Sequence, residues 1–155
     1  MSDPCAVAHG EAGEPEAGVR TLVAVFASPV AEYLLKYAAD LGYRTVLFDP
    51  AENSLPTLDA ATDVVVTDHH REELGPVLRD VLAQPVRWVG VMGNPHHEGP
   101  HVEALKQLGV APAEIDRVHR PIGLNIGSRT PPEIALATLA GLVADRNNRP
   151  GGFEF

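Results

Sequence analysis

The residues most able to do chemistry follow short apolar runs. His69 and His70 close one run, His96 and His97 close another, and His101 stands just beyond. Imidazoles bind transition metals and move protons near neutral pH. Their spacing carries no metal signature, because Gly99-Pro100 interrupts any helix joining His97 to His101. No metal ligand is assigned. His70 is expected to line a cleft, with proton transfer open to it. Residues 121–130 (PIGLNIGSRT) form the most informative stretch. Gly123 and Gly127 permit turns and close approach that other residues resist. Ser128, Arg129 and Thr130 then stand at the start of a helix, where free N–H groups and the dipole favour an anion. Arg129 suits a bidentate phosphate clamp. It equally suits a rigid loop in which Thr130 caps the helix and Arg129 braces the neighbouring turn. Both readings stay open.

Further candidates sit at the other run ends: Ser28, Asp49, Thr67, Gly93 and Asn94. A dinucleotide fingerprint needs glycines in the first such turn, so that backbone can approach a pyrophosphate. The turn here reads FASPVA and has none. Asp49 lies about 20 residues further on, where a ribose-binding acid would sit. An Asp before Pro is also a common turn former.

These positions imply elements that hold them together. Apolar runs at 21–27, 44–48, 63–67 and 87–92 predict strands buried on both faces of a parallel sheet. Helices are expected over 29–41, with Ser28 as N-cap, and from Asp68 as cap to 83. Short helices are expected over 100–108 and 112–118. The last begins at the capping box Thr130-Pro131-Pro132-Glu133. From 134 to 143 it is apolar nearly all round, which predicts burial or a covering partner. The expected architecture is α/β: a three-layer sandwich with a mostly parallel sheet and ligands beyond the C-terminal strand ends.

The 155 residues suit one domain over 20–149, between tails at 1–19 and 150–155. Hydrophobic residues make up 45 % and charged residues 21 %, an ordinary globular mix. Cys5 is the only cysteine, which rules out an internal disulfide. Its tail context favours a solvated residue over a reactive thiol. A net charge of −9 with dispersed cations argues against nucleic acid and anionic membranes. No apolar run is long enough to span a bilayer, and no secretory signal is evident, so the cytoplasm is the expected location.

Residues 121–146 resemble the signature closing the C-terminal Rossmann-like domain of the XdhC/CoxI family. Pro121, Ile122, Gly123, Leu124, Ile126, Gly127, Arg129, Thr130, Pro131, Glu133, Ile134 and Ala135 match it. Residues 64–70 (VVVTDHH) are similar to the family's strand ending in Thr-His-Asp-His, with Thr67 and His70 carrying over. Residues 88–94 (WVGVMGN) are similar to its strand ending in Gly-Ser, and His119–Pro121 to its His-x-Pro entry. The first turn departs from the family's Gly-x-Gly type, and Asn94-Pro95-His96-His97 replaces a basic cluster. The family's N-terminal Gly-Gly-Cys domain has no counterpart here. The resemblance implies an accessory protein for xanthine dehydrogenase-type molybdenum enzymes. It would bind the molybdenum cofactor (molybdopterin) or its nucleotide portion. Implied partners are a separate chain carrying the N-terminal domain, or a molybdenum hydroxylase. Alternatives are an NAD(P)-dependent oxidoreductase, and a non-catalytic interaction module that has lost its nucleotide site, docking to a partner or to a second copy of itself.

Overall fold

The computed structural model describes residues 19–94, 96, 97 and 99–154. Cys5 and almost all of the expected N-terminal tail lie outside them. Five strands form one sheet: β1 (Thr21–Val25), β2 (Arg44–Phe48), β3 (Thr62–Val66), β4 (Trp88–Val91) and β5 (Val118–His119). Every pairing is parallel, and the order is β2-β1-β3-β4-β5. The expected α/β sandwich is present, and among the described strands the sheet is wholly parallel.

Helix α1 (Pro29–Asp40) and helix α5 (Pro131–Arg146) cover one face of the sheet. Helices α2 (Leu74–Leu82), α3 (Pro100–Gln107) and α4 (Pro112–Ile115) belong to the other side. The strands alternate between two apolar layers. Leu22, Ala24 and Val65 pack with Leu34 and Leu139 on the α1–α5 side. Val23, Val25, Val64 and Val66 pack with Leu78 and Leu105 on the other. A strand buried on both faces has no use for a polar side, which is why the runs are continuously apolar.

Two helix expectations change. Asp68 does not cap α2; its carboxylate accepts from the His70 N–H at 2.8 Å, closing a local turn. The helix starts later, after Glu73. The helix expected to reach residue 118 stops at Ile115, because pairing with β4 recruits Val118 and His119. The other caps follow the sequence. Ser28 Oγ accepts from Ala31 N–H at 3.1 Å, and Thr130 Oγ1 from Glu133 N–H at 3.4 Å. Over 134–143 helix α5 is apolar nearly all round, yet Leu136 and its neighbours on the outer face are not buried. Leu136 stays 57 % exposed and lines a shallow apolar groove with Tyr37, Leu41 and Val143.

A buried charge fixes the end of α5 remote from its cap. Asp63 is fully buried in β3. It accepts from Arg87 Nε at 2.6 Å and Arg146 Nη2 at 3.2 Å. Arg87 also reaches Asp145 at 2.9 Å. Removing one partner of such a pair leaves the others charged and unsatisfied. Asp63→Asn is expected to lower stability by roughly 3–5 kcal/mol, read from urea unfolding. A loss below about 1 kcal/mol would show that the arginines find water instead.

Candidate functional site

The C-terminal strand ends carry the site, and the strand order explains where. The order of strand addition reverses between β1, which feeds β2 on one side, and β3, which feeds β4 on the other. The turns leaving β1 and β3 therefore diverge to opposite faces, opening a crevice. A cleft of about 720 Å³ lies along this edge. Thr67 and His69 enter it from the turn after β3, and Met92, Gly93 and His96 from the segment after β4. The loop 121–128 and helix α5, through Ile134, Ala137 and Thr138, close it.

The closing loop lies directly on α5. Leu124 N–H donates to Ala137 O at 3.0 Å. Gly123 has φ +87°, and a Cβ there would stand 3.1 Å from Thr138 N. Both the left-handed backbone and the close approach demand glycine. Ile122, Leu124, Ile126 and Ile134 make the cleft largely apolar, with Thr67, His69, Asn125, Ser128 and Thr138 as polar points. An apolar wall with a few fixed polar groups suits a flat heterocycle.

His69, and not His70, lines the cleft. Its Nδ1 lies 3.1 Å from Met92 O. A carbonyl only accepts, so Nδ1 carries the proton in this contact. Burial, then the neighbouring His70, pushes the His69 pKa below the usual imidazole value. The neutral ring keeps Nε2 as an acceptor. The two rings sit 3.9 Å apart, and His70 is exposed.

The first two turns are tied to one another. Ser28 Oγ donates to Thr67 Oγ1 at 3.1 Å. The Thr67 hydroxyl lies 3.0 Å from Val25 O and 2.9 Å from Phe26 O. Phe26 has φ +74°, in the region glycine normally occupies. Its ring is fully buried, and the Arg71 guanidinium stacks 4.5 Å from its centroid. Asp49 is 5 % exposed. It accepts from Ala27 N–H and Ala51 N–H at 3.0 Å each, and from Arg71 at 2.9 and 3.1 Å. Arg71 also binds Glu73 at 2.7 Å. The Arg71 hydrogen bonds hold the Asp49 carboxyl well below the usual range, and Asp49 in turn raises the Arg71 pKa.

Of the residues expected at the site, Thr67, Gly93, Gly127 and Ser128 border the cleft. Ser28 touches it only through Thr67. Asp49 is taken up by the ion pair. Asn94 faces a neighbouring smaller recess. Arg129 is exposed beside Ser128, outside the cleft wall, and Thr130 is the helix cap. Ser128 Oγ donates to Glu133 O at 3.3 Å. The sequence places both histidines at this edge and favours His70 as the lining one; Asn125 and the isoleucines carry no such signal. A strand-end position flagged the two histidines, but no sequence pattern says which of two neighbours turns inward. Among the described residues no group of three or more His, Cys, Asp or Glu is placed to hold a metal.

Residues 22–142 match the family described as the XdhC Rossmann domain. The chain is 33 % identical over 99 residues to YqeB of Escherichia coli (strain K12), described as uncharacterized. That match covers 64 % of this chain and 18 % of the relative. A solved structure from Bacillus halodurans, described as a xanthine dehydrogenase, superposes with a TM-score of 0.64 at 21 % identity. It covers 88 % of this chain and 45 % of that one. The chain therefore spans less than half the length of either relative. No described helix is long and apolar enough to cross a membrane.

Asp49 has a depressed carboxyl pKa in the folded chain. The stability it adds is therefore fully present above its unfolded value near pH ~4, and is lost as pH falls below that. Asp49→Asn is expected to lower the Tm by several degrees at pH 7. The gap from wild type should narrow steadily in scans below about pH 4. A gap independent of pH would assign the loss to packing.

Proposed function

The chain belongs to the XdhC Rossmann-domain family, and we propose that it is an accessory protein of xanthine dehydrogenase-type molybdenum enzymes, binding the organic portion of the molybdenum cofactor. The carrying observation is the apolar cleft roofed by the 121–128 loop, at the crevice where such sheets bind ligands. Its size and lining suit a pterin or a nucleoside base. His69 Nε2 would accept from a ring N–H, while Thr67 and Asn125 offer further polar contacts. Gly127, Ser128 and Thr130 would meet a phosphate in the turn ahead of α5, with Arg129 reaching from the rim. These residues fit the organic end of the group; no metal-ligand set accompanies them among the described residues. The cofactor would supply the redox chemistry of the enzyme that receives it, and this chain would hold and orient it.

The natural partners are a chain carrying the family's N-terminal domain, or the molybdenum hydroxylase itself. The 45 % coverage of the Bacillus halodurans protein supports a larger working unit. The nicotinamide reading is weaker. Its ribose-binding acid, Asp49, already has donors from Ala27, Ala51 and Arg71, and a ribose hydroxyl would have to compete with a bidentate guanidinium.

Mass spectrometry of the purified chain should find a co-purifying pterin or nucleotide. Fluorescence titration with a pterin and with AMP separates the roles. His69→Ala is expected to weaken both ligands about tenfold, the worth of one well-made buried hydrogen bond. Arg129→Ala should weaken AMP alone by a similar factor. Unchanged AMP affinity in Arg129→Ala removes its phosphate role. Saturable NAD binding tighter than pterin binding would favour the oxidoreductase.

A further inference from the structure

Over 134–143 helix α5 is apolar nearly all round, a pattern that calls for burial or a cover. Its inner side packs on the sheet and on α1 through Ala135, Leu139 and Leu142. Its outer side does not: Leu136 is 57 % exposed, and Ala140 and Val143 are partly exposed. These three recur at i, i+4 and i+7, so they form one stripe. A second stripe runs along α1: Tyr33, Tyr37 one turn on, and Leu41, 54 % exposed just past the helix end. The Tyr33 and Tyr37 rings sit 6.0 Å apart. A shallow groove joins the two stripes, with Asp40 as its acidic border. A continuous exposed apolar surface of this kind marks a protein contact.

The order of residues along the stripes indicates what covers them. Both helices run away from the C-terminal strand edge. Helix α1 leaves the end of β1, and α5 ends with Arg146 on Asp63, near the start of β3. They are therefore parallel, with Tyr37 and Leu41 beside residues 136–143. Consider a two-fold axis lying in this face and crossing both helices. It lays α1 of a second copy antiparallel on α1, and α5 antiparallel on α5. Positions equally spaced about the axis then meet. An axis at the level of Tyr37 and Ala140 brings Tyr33 to Leu41 of the second copy, and Leu136 to its Val143. Apolar meets apolar along both stripes. The same turn sets the exposed Lys36 opposite Asp40 of the second copy, twice in the contact. A two-fold contact requires a surface complementary to itself, and this one is so in shape and in charge. An unrelated partner would impose no such symmetry.

We propose that the α1–α5 face is a homodimer interface, with α1 on α1 and α5 on α5 about a two-fold axis near Tyr37 and Ala140. The small Ala140 beside the axis allows the α5 helices to approach closely. The contact spans about 18 Å of α1 and about 24 Å of α5 and is two helices wide. That is small for a permanent dimer, so the pairing is reversible. Repulsion between two copies of charge −9 is screened beyond about 8–10 Å and does not forbid it. The groove shares no lining residue with the strand-end cleft, so dimer formation does not depend on a ligand there.

The test is sedimentation equilibrium of the full chain, from micromolar to submillimolar concentration. A monomer–dimer equilibrium is expected. Leu136→Glu changes a position already exposed, so the fold should stand, as circular dichroism checks. That variant should be monomeric at every concentration. Lys36→Glu, also at an exposed position, should weaken pairing about tenfold, because two acids then oppose each other at two places. The double variant Lys36→Glu, Asp40→Lys should restore it. Such a rescue requires position 36 of one copy to face position 40 of the other. A monomer throughout the range overturns the proposal and leaves the face to a different protein. A dimer that persists in folded Leu136→Glu, one indifferent to Lys36→Glu, or a loss that the double variant does not rescue overturns it as well.

Discussion

Much of the ligand edge depends on the ion pair of Asp49 with Arg71. A parallel sheet whose order of strand addition reverses between β1 and β3 leaves their outgoing turns splayed. Glycines and a bound phosphate often fill that gap. Here the protein fills it with its own charges. Asp49, at the end of β2, takes N–H groups from the β1 turn and its own turn, and both guanidinium arms from the segment after β3. The same guanidinium covers Phe26, whose backbone takes the left-handed conformation that glycine normally adopts. Such a backbone costs on the order of 1–3 kcal/mol and persists only where its surroundings hold it. The burial of the Phe26 ring and the Arg71 contact supply that hold.

One consequence is a shift of open space along the sheet edge. With the β1 turn closed by Phe26 and Asp49, the usable cleft moves toward β3, β4 and the 121–128 loop. The loop needs a rigid base, and α5 provides it from both ends. Asp63 and its arginines pin the C-terminal end of the helix to the sheet. The Thr130 cap and the Leu124–Ala137 hydrogen bond fix the other end and the loop above it. Gly141 of the helix meets Gly123 of the loop backbone to backbone, at 3.3 Å from a Cβ position. Small residues on both sides allow that contact. The roof of the cleft is thereby tied to a buried charge at the opposite end of the sheet.

The legible part of the chain was the part governed by local rules. Continuous apolar runs gave the first four strands, since burial on both faces leaves its mark residue by residue. Ser28 and Thr130 were legible as caps because capping is a relation between neighbours. The two-residue β5 was not, because its only reason to be a strand is β4 beside it. Asp68 looked like a cap, but its carboxylate found the His70 N–H first. The choice between His69 and His70 was decided by that turn and by the Met92 carbonyl, a contact spanning 23 residues. Asp49 illustrates the same limit. Its position was read correctly, while its partner Arg71 lies 22 residues away.

Charge makes the last point. The chain carries −9 overall, which argues against polyanionic partners over long range. That says little about a recess only a few ångströms deep, because screening confines exposed charges to about 8–10 Å. What matters locally is which donors lack partners. Arg71, Arg87 and Arg146 are bound to internal carboxylates, so their charge is spent within the fold. Arg120 meets no carboxylate among the described residues, and its guanidinium fills the space that a Cβ on Gly93 or Gly99 would need. Arg129 stands outside the cleft wall at a helix already capped by Thr130. Local behaviour therefore turns on the cations that internal carboxylates leave open, whatever the net charge. Among the described residues Arg120 is such a cation, and it follows β5, the strand least visible in the sequence.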